Sequence, residues 1–213
     1  MFHINNISKS YGKKEVLHDI SISAEGGEAI GILGTNGSGK STLLSCIARA
    51  CANSNDTKIG YVPQDNPLFD ELKPIDNIKM WCSLSKNEII SALNEPPLID
   101  MGINNFLDTP VKKMSGGMKK RLSLATVLIN KPEVLLMDEP FAALDLPAKQ
   151  DILSYMHSFC ENDGTIIIAS HDEDIFNFCN RVYLLNNGSL YDTAILKSKG
   201  ISYIDMLRSN INA

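Results

Sequence analysis

The chain has no apolar run approaching the roughly 18 residues that a bilayer-spanning helix requires. Its longest runs, Ala29–Leu33, Val134–Met137 and Ile166–Ala169, are each a fraction of that length. No membrane span is expected, and the opening Met1-Phe2-His3-Ile4-Asn5 lacks the basic stretch and long apolar segment of a secretory signal. Paired cysteines are missing as well. Cys46, Cys51, Cys82, Cys160 and Cys179 are scattered, odd in number and form no C-x-x-C, which argues against zinc and dithiol chemistry and for thiols in a reducing cytosol. There is no excess of positive charge: 20 basic against 25 acidic side chains give a net charge of −5. A polyanion would need a local patch, and the densest basic cluster, Lys119-Lys120-Arg121, reads as a solvated helix face. No nucleic-acid partner is expected. Internal repeats and low-complexity tracts are also absent.

What is present is a composition able to build a core, with 44% hydrophobic and 21% charged residues. A length of 213 residues predicts one domain over 1–213 with a subdomain inside it. In the segment Phe2–Ser23, large apolar residues alternate with polar ones through Val16-Leu17-His18-Asp19-Ile20-Ser21-Ile22, predicting a half-exposed antiparallel strand. Ala29–Leu33 is nearly all apolar, as in a strand buried on both faces. A helix is expected from Lys40 to about Ala52, a polar turn at Asn53–Thr57, and a strand from Lys58 to Val62 ended by Pro63. From Pro74 to about Asn105 the pattern is helical, broken at Asn94-Glu95-Pro96-Pro97 and at Gly102, and it predicts a small helical subdomain over about 74–115. A helix to about Asn130, a strand Val134–Met137, a helix from Pro147 to about Cys160 and a strand Thr165–Ala169 follow. Such alternation implies an α/β fold with a mostly parallel sheet flanked by helices. Ile201–Leu207 is expected to close the chain as a short helix.

Gly34-Thr35-Asn36-Gly37-Ser38-Gly39-Lys40-Ser41 matches G-x-x-x-x-G-K-[ST] and lies between a predicted buried strand and a predicted helix, as a phosphate loop must. The fold class is therefore that of a P-loop NTPase core. Glycines let the backbone amides of Asn36 to Thr42 turn toward the phosphates of a nucleotide, Lys40 adds a cation, and the helix N-terminus adds its partial positive charge. Ser41 would hold Mg²⁺ through its hydroxyl. Val134-Leu135-Leu136-Met137 delivers Asp138 and Glu139 at the C-terminal end of a buried strand, where α/β folds place ligands. Asp138 would help hold the magnesium and Glu139 would polarise the attacking water. A guanine-reading motif is not found: Asn130-Lys131-Pro132-Glu133 ends in glutamate and reads as a helix-to-strand connection.

Met114-Ser115-Gly116-Gly117-Met118 opens a helix ahead of the Val134 strand, and this combination resembles the signature of ATP-binding cassette ATPases. The resemblance extends over nearly the whole chain, since Tyr11, Gln64, Asp145 and His171 occur in that family's order. It implies that Tyr11 stacks on adenine, that Gln64 senses magnesium and relays to a membrane subunit, and that His171, in Ala169-Ser170-His171-Asp172, contacts the γ-phosphate. It also implies a homodimer, or a heterodimer with a similar subunit. Ser115, Gly116 and Gly117 would complete the ATP site of the opposite monomer, with Asp145 of Ala143-Leu144-Asp145 between the two. His3, His18 and His157 match no motif.

The chain departs from the family at several points. Met114 stands where leucine is common, a volume-conserving exchange. Met118 replaces a frequent glutamine, with loss of a hydrogen bond worth about 1 kcal/mol. Ala142 replaces a frequent serine. Gln64 follows Lys40 by only 24 positions, so the N-terminal antiparallel β subdomain is expected to be reduced. The resemblance implies a cytoplasmic ATPase, peripheral on the inner face of the cell membrane, that uses ATP and Mg²⁺ to drive transport through separate transmembrane permease subunits. Export is favoured over import because the chain ends soon after the core. The competing reading is a soluble cassette acting on ribosomes or DNA, against which stand the absent tandem cassette and the absent basic bias.

Overall fold

The structure is a computed structural model that describes residues 1–52, 57–96, 98–142, 144–171, 177–198, 200, 202 and 205. Strands β1 (Phe2–Tyr11) and β2 (Lys14–Ala24) pair antiparallel as a separate two-stranded sheet. The main sheet has six strands in the order β4-β5-β6-β3-β7-β8, where β3 is Ala29–Leu33, β4 Ile59–Val62, β5 Val134–Asp138, β6 Thr165–Ser170, β7 Arg181–Asn186 and β8 Ser189–Asp192. All its pairings are parallel except β7 with β8.

Every residue of β3, β5 and β6 is buried. The reason is visible in how their side chains divide, because successive residues of a strand point to opposite faces. Ala29, Leu33, Leu135, Met137, Ile166 and Ile168 enter one core, while Ile30, Ile32, Val134, Leu136, Ile167 and Ala169 enter the other. The second core is closed by β1, β2 and helix α1 (Lys40–Ala52), through Leu17, Ile20, Leu43, Leu44 and Ile47. Fully burying each such side chain contributes on the order of 1.5–3 kcal/mol.

The first core is closed by the helical subdomain. Helix α2 (Pro74–Lys79) starts on a proline, whose missing N–H costs nothing in a first turn. Helix α3 (Lys86–Leu93) opens with a capping box in which Ser85 N donates to Glu88 Oε2 at 2.8 Å and Glu88 N donates to Ser85 Oγ at 3.4 Å. Three short 3₁₀ turns follow, at Ile99–Met101, Ile103–Phe106 and Val111–Lys113, and Gly102 between the first two has φ +61°. Ile78, Ile89, Leu93, Phe106 and Val111 reach the sheet through helix α4 (Gly116–Leu128), whose Leu122, Leu124 and Ala125 are completely buried.

Helix α5 (Leu146–Glu161) covers the same face of the sheet through Ile152, Tyr155 and Met156. Helix α6 (Thr193–Ser198) follows β8. Strands β7 and β8 and helix α6 are elements for which the sequence offered no expectation. For β3, β4, β5, β6, α1, α4 and α5 the expected bounds agree to within two residues, whereas Phe2–Ser23 folds as the two paired strands β1 and β2 and the stretch 74–105 divides into α2, α3 and 3₁₀ turns; Asn130–Glu133 is the connection from α4 to β5, with Lys131 at φ +51°. Ala143, Asp172 and the turn residues Asn53–Asp56 lie outside the described residues, as does the expected closing helix apart from Ser202 and Asp205.

The expectation for Lys119-Lys120-Arg121 needs correction. Lys119 Nζ pairs with Asp70 Oδ1 at 3.0 Å and Arg121 Nη1 lies 3.7 Å from Asp151 Oδ2, both near the surface. Lys120 is only 2% exposed. It points inward because α4 is buried on nearly every side, and a basic run on such a helix cannot keep all its members in water.

Candidate nucleotide-binding and hydrolysis site

Three neighbouring strands, β5, β6 and β3, end on the same edge of the sheet, and the parallel register puts their last residues side by side. Beyond β3 the chain turns through Gly34–Gly39 into α1. Gly37 and Gly39 have φ of +81° and +107°, a region that L side chains rarely adopt, and a Cβ on Gly39 would stand 3.0 Å from Val16 Cγ1. The turn is thus pressed against β2. Ser38 N donates to Thr35 O at 3.1 Å, and Leu43 N donates to Gly39 O at 2.8 Å as α1 begins.

Lys40 folds back over this turn, its Nζ donating to Gly34 O at 2.8 Å and to Thr35 O at 3.4 Å. The same ammonium lies 3.5 Å from Glu139 Oε1, both side chains being more than nine-tenths buried. A cleft of about 440 Å³ runs from Tyr11 and Val16 across Gly37 and Gly39 to Lys40, Ser41 and Thr42. Tyr11 is 60% exposed at the rim, with Lys9 Nζ 5.3 Å from its ring centre. A larger hollow of about 590 Å³ lies at the other end of the strands, beside Glu133 and Gly164, and its lining contains none of the motif residues.

Asp138 is the last residue of β5 and is 2% exposed. Burial pushes its carboxyl pKa up, while a hydrogen bond from the Ser41 hydroxyl and the charges of Lys40 and Lys120 oppose that rise. Among the described residues its Oδ1 is buried without a hydrogen-bond partner. A buried, unpartnered carboxylate oxygen beside a serine hydroxyl is the donor set a divalent cation satisfies, so the residues present fit magnesium. Gln64 is exposed on the turn after β4, whose Val62 pairs with Met137, so Gln64 belongs to the strand end next to Asp138.

Glu139 is held from four sides. Its N–H donates to Ala169 O at 2.9 Å, Ser170 Oγ donates to Oε2 at 2.9 Å, His171 Nδ1 lies 2.8 Å from Oε1, and Lys40 completes the set. Its φ of +44° is uncommon for a residue with a side chain and costs on the order of 1 kcal/mol, which those contacts offset. Ser170 is 2% exposed, whereas the His171 side chain is 59% exposed. The arrangement can accept a proton at Glu139 while presenting cations and backbone amides to an anion.

Ser115, Gly116, Gly117 and Asp145 are not in that cleft's lining. Ser115 is the N-cap of α4, its side chain accepting from Met118 N at 3.3 Å, and Asp145 is the N-cap of α5, accepting from Ala148 N at 3.0 Å. A Cβ on Gly117 would meet Ala148 Cβ at 3.2 Å, so the two helix starts are adjacent, with Ser115, Gly116 and Asp145 exposed. Met114 is buried in the core, as expected of a leucine substitute, and Met118 packs against it. Among the remaining histidines, His18 pairs with Glu15 at 3.2 Å and His157 meets Phe178 edge-on at 4.7 Å.

Sequence reasoning passed over two residues of this site. Ser170 offers no signal beyond its place between a buried strand and His171. Lys120 offered a misleading one, because its neighbours are surface charges.

Comparison with known proteins agrees with this geometry. The family model described as ABC transporter matches residues 17–142, more than half of the chain. The chain is 32% identical over 188 residues to the lantibiotic transport ATP-binding protein SrtF of Streptococcus pyogenes, covering 80% of each. It is also 32% identical over 210 residues to the spermidine/putrescine import ATP-binding protein PotA of Spiroplasma citri, covering 89% of this chain and 60% of that one. Among solved structures, the dimeric bacterial ABC transporter cassette MJ0796 superposes with a TM-score of 0.73 at 25% identity, covering 89% of this chain and 96% of that one. With its phosphate loop, paired strand-end carboxylates and signature helix assembled on this sheet, the chain belongs to the ABC transporter family, as an ATPase cassette.

Proposed function

We propose that this chain is the motor subunit of a transporter, in which two cassettes close on two ATP molecules, hydrolyse them, and open again to move separate membrane subunits. The observation that carries this reading is the cluster of Lys40, Ser41, Asp138, Glu139, Ser170 and His171 at the ends of three adjacent strands. Magnesium held by Ser41 and Asp138, with Gln64 beside them, would neutralise phosphate charge. Lys40 and the amides of Asn36 to Thr42 bind and orient the phosphates. A water oxygen attacks the γ-phosphorus, the bond to the β-γ bridging oxygen breaks, and ADP leaves; Glu139 takes the water's proton and His171 steadies the transferred group.

Dimerisation is supported by the exposed N-termini of α4 and α5, which carry Ser115, Gly116, Gly117 and Asp145 away from the chain's own cleft and can reach a second copy's nucleotide. A membrane partner is supported by Phe69, Met80 and Trp81, each at least 48% exposed, near a hollow of about 210 Å³ lined by Pro63, Pro67 and Trp81. A cytoplasmic helix of a permease subunit is the occupant we assign to it. Among the described residues no helix is long and apolar enough to cross a membrane. Likeness to a lantibiotic transport subunit and to an import subunit at equal identity carries no direction of transport.

The test is Glu139→Gln. It should abolish steady phosphate release while sparing ATP binding, and it should trap an ATP-dependent dimer visible by light scattering. Unchanged turnover would overturn the role of Glu139. Affinity purification of the tagged chain from detergent-solubilised membranes should recover a polytopic membrane protein in stoichiometric amount, and recovery of ribosomes or DNA instead would overturn the transport reading.

A further inference from the structure

The ammonium of Lys120 is enclosed in the protein at 2% exposure, 3.3 Å from the Pro63 carbonyl to which it donates. Removing an ammonium from water costs several kcal/mol unless nearby carbonyls and carboxylates compensate. Here the carboxylates of Asp138, Asp65 and Glu139 all act on it and favour its charged form. Burial nevertheless brings its pKa down to about 8. Its chain neighbours Lys119 and Arg121 find ordinary surface partners, so the inward path belongs to Lys120 alone among the three.

The position of Pro63 gives this contact its meaning. Strand β4 runs beside β5 with Val62 opposite Met137, so Pro63 and Gln64 leave the sheet next to Asp138 and Glu139. Helix α4, which carries Lys120, begins at the Ser115 cap. One side chain therefore joins the signature helix, the turn bearing Gln64 and the electrostatic field of the paired carboxylates.

We propose that Lys120 is a positioning residue for Gln64: its buried ammonium pins the Pro63 carbonyl and so holds the Gln64 turn against the Asp138–Glu139 end of β5. Displacement of α4 at its Ser115 end is carried through Lys120 to that turn. The proposal rests on the assignment of Gln64 and Asp138 to magnesium made above.

A double-mutant cycle on the full chain tests it, with Lys120→Met, Gln64→Ala and the double variant. Lys120→Met keeps the volume but leaves the Pro63 carbonyl and the nearby carboxylates without their cation, so the melting midpoint should fall by about 3–10 °C. Its kcat should fall about tenfold and its half-saturating Mg²⁺ concentration rise about fivefold, while ATP affinity measured without magnesium stays within about twofold. The double variant should be no slower than Gln64→Ala, because both changes act through one residue. Losses that multiply in the double variant, or wild-type kinetics and magnesium dependence in Lys120→Met, would overturn the proposal. Should Lys120→Met not fold, Lys120→Gln carries the same cycle with the same two outcomes. A wild-type chain that binds ATP without hydrolysing it would defeat the motor reading only, and the cycle would then be read by calorimetry in the magnesium dependence of ATP affinity.

Discussion

Ser170 Oγ donates to Glu139 Oε2 across 2.9 Å, between the last residue of β6 and the residue that follows the adjacent parallel strand β5, both of them buried. The bond leaves Oε1 to His171 and Lys40 and fixes the plane of the carboxylate. Ser170→Ala should lower kcat about tenfold, the loss expected for one hydrogen bond to a charged group, with KM for ATP unchanged. Ser170→Thr should restore most of the rate. Steady-state phosphate release across an ATP titration separates the two constants.

Gly39 and Gly12 make a controlled pair. Both have positive φ, but a Cβ on Gly39 meets Val16 Cγ1 at 3.0 Å while one on Gly12 meets nothing within 4 Å. Gly12→Ala should cost backbone strain alone, on the order of 1 kcal/mol. Gly39→Ala adds crowding at the phosphate loop and should lose at least about tenfold in ATP affinity. Thermal melts and calorimetric ATP titrations on the two variants measure this difference.

Tyr11 stands exposed at the rim of the cleft, where a ring can stack on a base without disturbing the phosphate end. Stacking of this kind is worth about 1–3 kcal/mol, so Tyr11→Ala should raise KM for ATP by about 5- to 150-fold and leave kcat near its original value. Tyr11→Trp should keep the affinity. An equal loss for ATP and for inorganic triphosphate would show that the ring does not meet the adenine.

Glu28 and Arg181 tie the start of β3 to the start of β7. Arg181 Nη2 donates to Glu28 Oε2 at 2.8 Å, Nε donates to Oε1, and Nη2 also reaches Ser23 O at 2.6 Å. The guanidinium hydrogen bond is the main reason the Glu28 carboxyl pKa lies below its usual value of 4.5. A group with a depressed folded-state pKa stabilises the fold above its unfolded pKa, and that stability is lost as pH falls through the folded value. Glu28→Gln should therefore be less stable than wild type by about 1 kcal/mol near pH 7, a figure kept small because Arg181 is partly exposed. The gap should close as pH drops below about 4.5. Denaturant melts at pH 7 and at pH 3.5 provide the comparison.

The parts of the site that could be read in the amino-acid order are those whose chemistry is local. Gly34–Ser41 must turn tightly and present amides to an anion, so its glycines, Lys40 and Ser41 declare themselves in one short stretch. Val134–Met137 declares a buried strand by its unbroken apolar run, and Asp138 and Glu139 then fall at its end by chain continuity. Ser115 and Asp145 are legible only through the family resemblance, and it is the structure that makes each the cap of the helix it precedes. Strands β7 and β8 gave no comparable signal, because the half-exposed pattern of Arg181–Asn186 resembles that of many loops and becomes a strand only when β3 lies beside it.

By itself the sequence determined that this chain would build a phosphate-binding α/β core, since strand burial, turn chemistry and helix starts are set by residues close together in the chain. Only the tertiary structure decided what surrounds Glu139 and where Lys120 goes. Ser170 lies 31 residues from Glu139, and Pro63 lies 57 residues from Lys120. Partners so far apart meet only because the sheet order places β6 beside β5 and β4 on the other side of β5. The physical reason is that hydrogen bonds and buried charges answer to distance in space, which parallel strand pairing fixes, and not to distance along the chain.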